Sequence, residues 1–99
     1  MKTSTAIRIA RAAVSQPIGS GTSWTVYGPY TRNMPNGARA EHSASSYAQA
    51  RAARTVWVAE VALALLDVGF EVQVEAPNDG TTVEQLVAAG LRKSRLTLG

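Results

Sequence analysis

The most apolar stretch of the chain is residues 56–66, where ten of eleven positions are apolar and only Glu60 interrupts. A surface helix with one buried stripe would show a polar face here. This stretch shows almost none, so a helix containing it needs cover on several sides. Ser46 followed by Gln49 forms a capping box, the serine oxygen taking an orphan N–H while the glutamine reaches back. The alanine-rich body that follows favours helix. Gly69 suits the left-handed position just past a helix end, and Phe70 the hydrophobic contact that accompanies it. The pattern therefore predicts a long central helix over residues 46–68.

Around that helix the periodicity is that of strands. Residues 23–30 (SWTVYGPY) are aromatic and β-branched, with Trp24 and Val26 on one face and Thr25 and Tyr27 on the other. Pro29 limits this strand or places it at an edge. Asn36-Gly37 is a turn dipeptide, and residues 38–43 return as a short polar strand. Residues 70–76 (FEVQVEA) alternate cleanly, with Phe70, Val72 and Val74 inward and Glu71, Gln73 and Glu75 outward.

Residues 5–14 fit two templates. Ile7 and Ile9 share a strand face, while Ile7, Ala10 and Val14 line a helix. The turn-rich segment 15–21 and the aromatic strand after it tip the reading toward a hairpin, so a strand is expected over 5–14. Thr81 followed by Glu84 opens a second, short helix through Val83, Leu86, Val87 and Ala88, with Gly90 as its expected end. The tail, residues 91–99, is open between helix, strand and fraying. The fold class expected is α+β: a small antiparallel sheet of three to four strands packed on a long central helix, with a short C-terminal helix.

Ninety-nine residues make one domain and need no disulfide or metal staple. The absence of cysteine excludes thiolate metal sites and thiol nucleophiles, and a cytoplasmic setting is the default expectation. Eleven apolar residues reach only about 16 Å as a helix, too short for a bilayer, so no membrane partner is expected. The cover for residues 56–66 must be protein, from this chain or from a second copy in a homodimer. Residues 1–17 carry no acid and faintly resemble a transit peptide, but an ordinary first element of the fold is the simpler reading.

Charge changes the picture more than composition does. Residues 1–54 carry a formal charge of +6 and residues 55–99 a charge of −3, giving the net +3. Arg8, Arg11, Arg32, Arg39, Arg51 and Arg54 accompany Trp24, Tyr27, Tyr30 and Tyr47. Arginine with aromatics is what protein interfaces enrich, and also what nucleic-acid footprints show. The candidate partner-binding residues are Arg8, Arg11, Tyr27, Tyr30, Arg32, Arg39, Tyr47, Arg51 and Arg54.

Catalytic chemistry finds little support. His42 is the only histidine. The serines at 43, 45 and 46 are near it in sequence, yet no Gly-x-Ser-x-Gly elbow is present, and they are better read as helix caps. The acids alternate outward or sit in turns rather than converging as a glycosidase pair would. One histidine and no cysteine leave only oxygen ligands for a metal, and no calcium-loop spacing follows Asp79. Gly19-Ser20-Gly21 lacks the lysine or third glycine of a phosphate cradle. No cofactor or metal is expected, and no catalytic residue is assigned.

A three-stranded meander followed by a helix, with Trp24 in the middle strand, resembles the integrase arm-type DNA-binding domains over residues 5–68. That resemblance implies a sheet entering the major groove. Pro29, Glu41 and the acidic segment 70–76 depart from it, and no base-reading signature is present. In general look the chain is also similar to small phage-encoded inhibitors, anti-CRISPR proteins among them, although no motif matches one. The function expected is a non-catalytic binding protein acting through protein–protein contact, as a small inhibitor or adaptor would; nucleic-acid binding by the basic half is the alternative.

Overall fold

The computed structural model describes residues 1–29, 39–68 and 80–98, with the side chains of Arg39 and residues 94–98 outside that description. The element order is α1 (Thr3–Ala13), β1 (Ile18–Ser20), β2 (Ser23–Pro29), β3 (Arg39–Ala44), α2 (Tyr47–Leu65) and α3 (Val83–Leu98). The α+β class is as the periodicity implies: one antiparallel sheet in the order β1-β2-β3, with the long helix α2 behind it.

The first element is a helix, not the strand expected over 5–14. Ala6, Ile7, Ala10 and the C-cap residue Val14 fall on one helical stripe and are all buried. Ile9, which a strand would have buried with Ile7, is 40% exposed. The alternation Ile7–Ile9 lost to a longer apolar stripe whose small members, Ala6 and Ala10, allow close packing on α2. Arg11 in the last turn suits the negative end of the helix macrodipole.

The hairpin strand is therefore β1, three residues long. Its connection to β2 is the two-residue turn Gly21-Thr22, between the paired Ser20 and Ser23. Gly21 has φ +59°, the first-position glycine that a type II′ hairpin turn requires. Ser15 extends the ladder beyond β1: its N–H donates to the Tyr27 carbonyl at 2.7 Å, and its Oγ accepts the Tyr27 N–H at 2.8 Å.

The register pairs Trp24 with Ala44, Val26 with His42 and Gly28 with Ala40 on the sheet face toward α2. Val26 is fully buried there, and Gly28 lies directly against the Trp57 indole of α2. A Cβ on Gly28 would stand 2.8 Å from Trp57 Cε2 and Cζ2. The indole is anchored by its Nε1–H, which donates to the Pro29 carbonyl at 3.1 Å. The expected fourth strand, residues 70–76, lies outside the described residues.

Helix α2 starts at the expected cap. Ser46 Oγ accepts the Gln49 N–H at 3.1 Å. Gln49 Oε1, however, reaches one residue further back than a reciprocal box, accepting from Ser45 N–H at 3.2 Å and Ser45 Oγ–H at 2.7 Å. The helix ends earlier than residue 68. Asp67, at φ +57°, takes the left-handed place expected of Gly69. Its N–H donates to Ala64 O at 3.0 Å, and the Val68 N–H donates to Leu63 O at 2.9 Å. This pair of bonds is a Schellman motif, closed by a residue with a Cβ penalty.

Cover for the apolar half of α2 comes from this chain. Trp57, Val58, Ala59, Val61, Ala62 and Leu63 are buried, and α1, β2, β3 and α3 all pack on α2. Between residues 56 and 66 the apolar side chains left exposed are Ala64 and Leu65, with Val56 and Leu66 half-buried. Among the described residues, no helix is long and apolar enough to cross a membrane.

Helix α3 also departs from expectation. The capping box is Thr82 with Gln85, one residue on from Thr81 and Glu84: Thr82 Oγ1 accepts the Gln85 N–H at 3.2 Å and Gln85 Oε1 accepts the Thr82 N–H at 2.9 Å. The helix is not short and does not stop at Gly90. Gly90 is buried on the same stripe as Val83 and Val87, and the helix runs through it despite the roughly 1 kcal/mol that an interior glycine costs. Residues 91–98 continue as helix.

Candidate binding surface

The first residue of α2, Tyr47, stands where the helix leaves the sheet and is 49% exposed. Its ring meets Trp24 of β2 with centroids 5.1 Å apart and planes tilted by 54°. Trp24 is itself fixed, its Nε1–H donating to the Gly21 carbonyl of the hairpin turn at 2.9 Å. One helical turn on, the Arg51 guanidinium carbon lies 5.8 Å from the Tyr47 centroid, within cation–π range. Sheet, turn and helix thus hold an aromatic–aromatic–arginine stack in a set arrangement.

Beside this stack runs a groove of about 430 Å³ between α2, the start of α3 and the end of α1. Arg11, Arg51 and Arg54 line it, over a floor that includes Ala48, Ala52 and Val83, with Thr55, Thr82 and Glu84 adding polar groups. The three guanidinium groups have different duties. Arg54 reaches back to α1: Nε donates to Ser15 O at 3.0 Å, and one terminal nitrogen donates to Arg11 O at 3.1 Å and Val14 O at 3.4 Å. It satisfies carbonyls at the C-terminal end of α1, where a cation also suits the macrodipole. Partial burial, and then the nearby charge of Arg11, lower its pKa from the ordinary arginine value, but the group remains charged at neutral pH.

Arg11 is held by an ion pair, one terminal nitrogen 2.6 Å from Glu84 Oε1, with both side chains about half exposed. The Arg11 hydrogen bond is the main reason the Glu84 carboxyl titrates below its usual range, with hydrogen bonding at the start of α3 adding to it. This pair separates the arginine groove from a second cleft of about 310 Å³ between α1 and α3, lined by Thr3, Ser4, Ile7, Ala88 and Leu91. Arg51 has no carboxylate partner among the described residues.

Of the candidates from sequence, then, the structure gathers Arg11, Tyr47, Arg51 and Arg54. Arg8 is exposed on α1. Tyr27 points to the sheet face away from α2, opposite Glu41. Arg39 is placed by its backbone only, and Tyr30 and Arg32 lie outside the described residues. His42 is exposed on β3, and no three His, Asp or Glu side chains come together among the described residues. Trp24 and Glu84 join the site without having been assigned to it. The 3.6-residue period places Arg51 over Tyr47, but no sequence spacing announces a pairing of Arg11 with Glu84, 73 positions away.

Comparison with protein-family models, curated proteins and solved structures gives no match.

Proposed function

We propose that this chain is a non-catalytic binding protein that docks on a protein partner in the cytoplasm, as a small inhibitor or adaptor would. The observation that carries the reading is the Trp24–Tyr47–Arg51 stack. Trp, Tyr and Arg are the residues that dominate interface hot spots. Here they are ordered in advance by Gly21 and by the first turn of α2, which lowers the entropy lost on docking. The basic half supports nucleic-acid binding less well. Arg54 is engaged with backbone carbonyls and Arg11 with Glu84, so among the described residues Arg51 alone of the groove's three arginines is left to meet a phosphate without giving up a carboxylate or carbonyl partner.

Photo-crosslinking tests the proposal. A photoreactive amino acid at position 47, irradiated in nuclease-treated extract of the native cell, should give one dominant protein adduct. The adduct should be lost with Arg51→Glu and absent when the probe sits at the exposed position 92. No position-dependent adduct would overturn the reading. Retardation of duplex DNA that falls with salt at a log–log slope near −5, the value for about six phosphate contacts, would favour the alternative.

A further inference from the structure

The groove beside the stack already holds a carboxylate, and that carboxylate belongs to the protein itself. Glu84 sits at the rim on Arg11 and is half exposed. Among the described residues, three arginines against one glutamate leave the groove with an excess of two positive charges. Exposed ion pairs are weak because water screens them and long side chains lose freedom to make them. An incoming carboxylate can therefore replace Glu84 at little cost, and it would gain Arg51 as well. The alanine floor matches the short apolar stem of an aspartate or glutamate. A volume of about 430 Å³ accommodates a side chain or two, not a folded element.

We infer that this groove receives an acidic side chain of the protein partner, with Arg51 and Arg11 as its counter-charges and Glu84 as the built-in occupant it displaces. The inference rests on the protein-docking reading and specifies the chemistry of the partner next to Tyr47: an Asp- or Glu-bearing segment. Arg54 acts as a positioning residue, holding the end of α1 so that Arg11 faces the groove.

The probe is a hexaglutamate peptide titrated into the full chain and followed by amide chemical shifts. Shifts are expected at residues 11, 48–55 and 81–84, weakening as salt rises. Glu84→Gln removes the competing carboxylate and should tighten binding about 2- to 5-fold, the scale of an exposed ion pair. Arg51→Glu should abolish the shifts, and Arg51→Gln should weaken them at least several-fold. The thermal midpoint of each variant is measured alongside, because Arg51 is exposed and its substitution should leave folding intact. Absence of shifts at millimolar peptide, shifts that map elsewhere, or unchanged affinity in Glu84→Gln would each overturn the inference. So would inorganic phosphate producing the same shifts at equal concentration, since the site would then be a general anion site. Failure here with crosslinking at position 47 retained removes the acidic-segment inference and leaves the docking reading standing. Loss of the crosslink with peptide binding intact removes the docking reading and, with it, the protein partner, leaving only a groove that takes carboxylates.

Discussion

Gly28→Ala adds a single methyl group at the point where β2 meets α2. The new carbon would lie 2.8 Å from two indole carbons of Trp57 and 3.3 Å from a third. Carbon pairs settle at about 3.5–4.0 Å, so the ring or the strand must withdraw by about 0.7 Å. The indole has little room to do so, being 6% exposed and tied through Nε1 to Pro29 O. Overpacking of this kind costs about 1–3 kcal/mol. If the indole breaks its bond to escape, the orphaned N–H costs about 1–3 kcal/mol instead. Against this, alanine restricts the unfolded chain and returns about 0.4–1 kcal/mol. The net expectation is a loss of about 1–2 kcal/mol, or a thermal midpoint about 5–15 °C lower for a domain of this size. Urea unfolding followed by tryptophan fluorescence measures it. Trp57→Leu made alone and in the Gly28→Ala background closes a double-mutant cycle, and the alanine should cost less once the indole is gone. Unchanged or raised stability in Gly28→Ala, or strict additivity in the cycle, would refute the argument that the glycine is there for the indole.

Arg54→Ala should lose about 2–3 kcal/mol in urea unfolding, since charge-assisted hydrogen bonds are worth about 1.5–3 kcal/mol; Arg54→Lys should recover less than half, because an ammonium cannot reproduce the fork that spans Ser15 O and Arg11 O. Glu84 has a folded pKa below its unfolded value, so its contribution is present above the unfolded pKa, near 4.3, and is lost as pH falls through the lower folded value. At 55% exposure that contribution should stay well under 1 kcal/mol, read as the difference in urea midpoint between the wild type and Glu84→Gln, which should vanish by about pH 2. Asp67→Gly should stabilise by about 0.5–1 kcal/mol, because it relieves a left-handed Cβ and removes an acid from the negative end of α2; a destabilised variant in thermal unfolding would refute this. If residues 56–66 also make a homodimer, Leu65 is the large apolar side chain of that stretch most exposed for it: light scattering should then give a dimer mass for the wild type and a monomer mass for Leu65→Glu, and a monomer for both would withdraw the dimer.

The parts of the fold that were legible in sequence are those whose local signals agree with their packing. Ser46 and the alanines after it announce α2, and Trp24 to Tyr27 announce β2. Where two local solutions have nearly equal merit, only tertiary contact decides. Residues 3–13 carry both a strand alternation and a helical stripe, and it is the fit of Ala6 and Ala10 on α2, with Arg54 at the helix end, that selects the helix. Thr81/Glu84 and Thr82/Gln85 are two capping boxes offset by one residue, and docking of Val83 and Val87 picks the second. Gly69 is the better left-handed residue, yet the helix turns at Asp67. At the candidate site, Tyr47 and Arg51 follow from the helix period. The approach of Arg11 to Glu84 depends on how α1 and α3 both lie on α2, which no local pattern encodes.

Arg54 joins positions 39 to 43 residues apart, whereas β1, β2, β3 and α2 follow one another in sequence as they do in space. Helix α1 is thus held to α2 across a long stretch of sequence, and a local opening of α1 as a unit would leave the contacts between the sheet and α2 in place. Amides of α1 should accordingly exchange with solvent through a partial opening, ahead of those in α2. Detachment would carry Arg11 out of the groove. Whatever binds there through Arg11 is therefore thermodynamically linked to the docking of the N-terminal helix, and the occupied protein should protect amides of residues 6–13 that the occupant never touches.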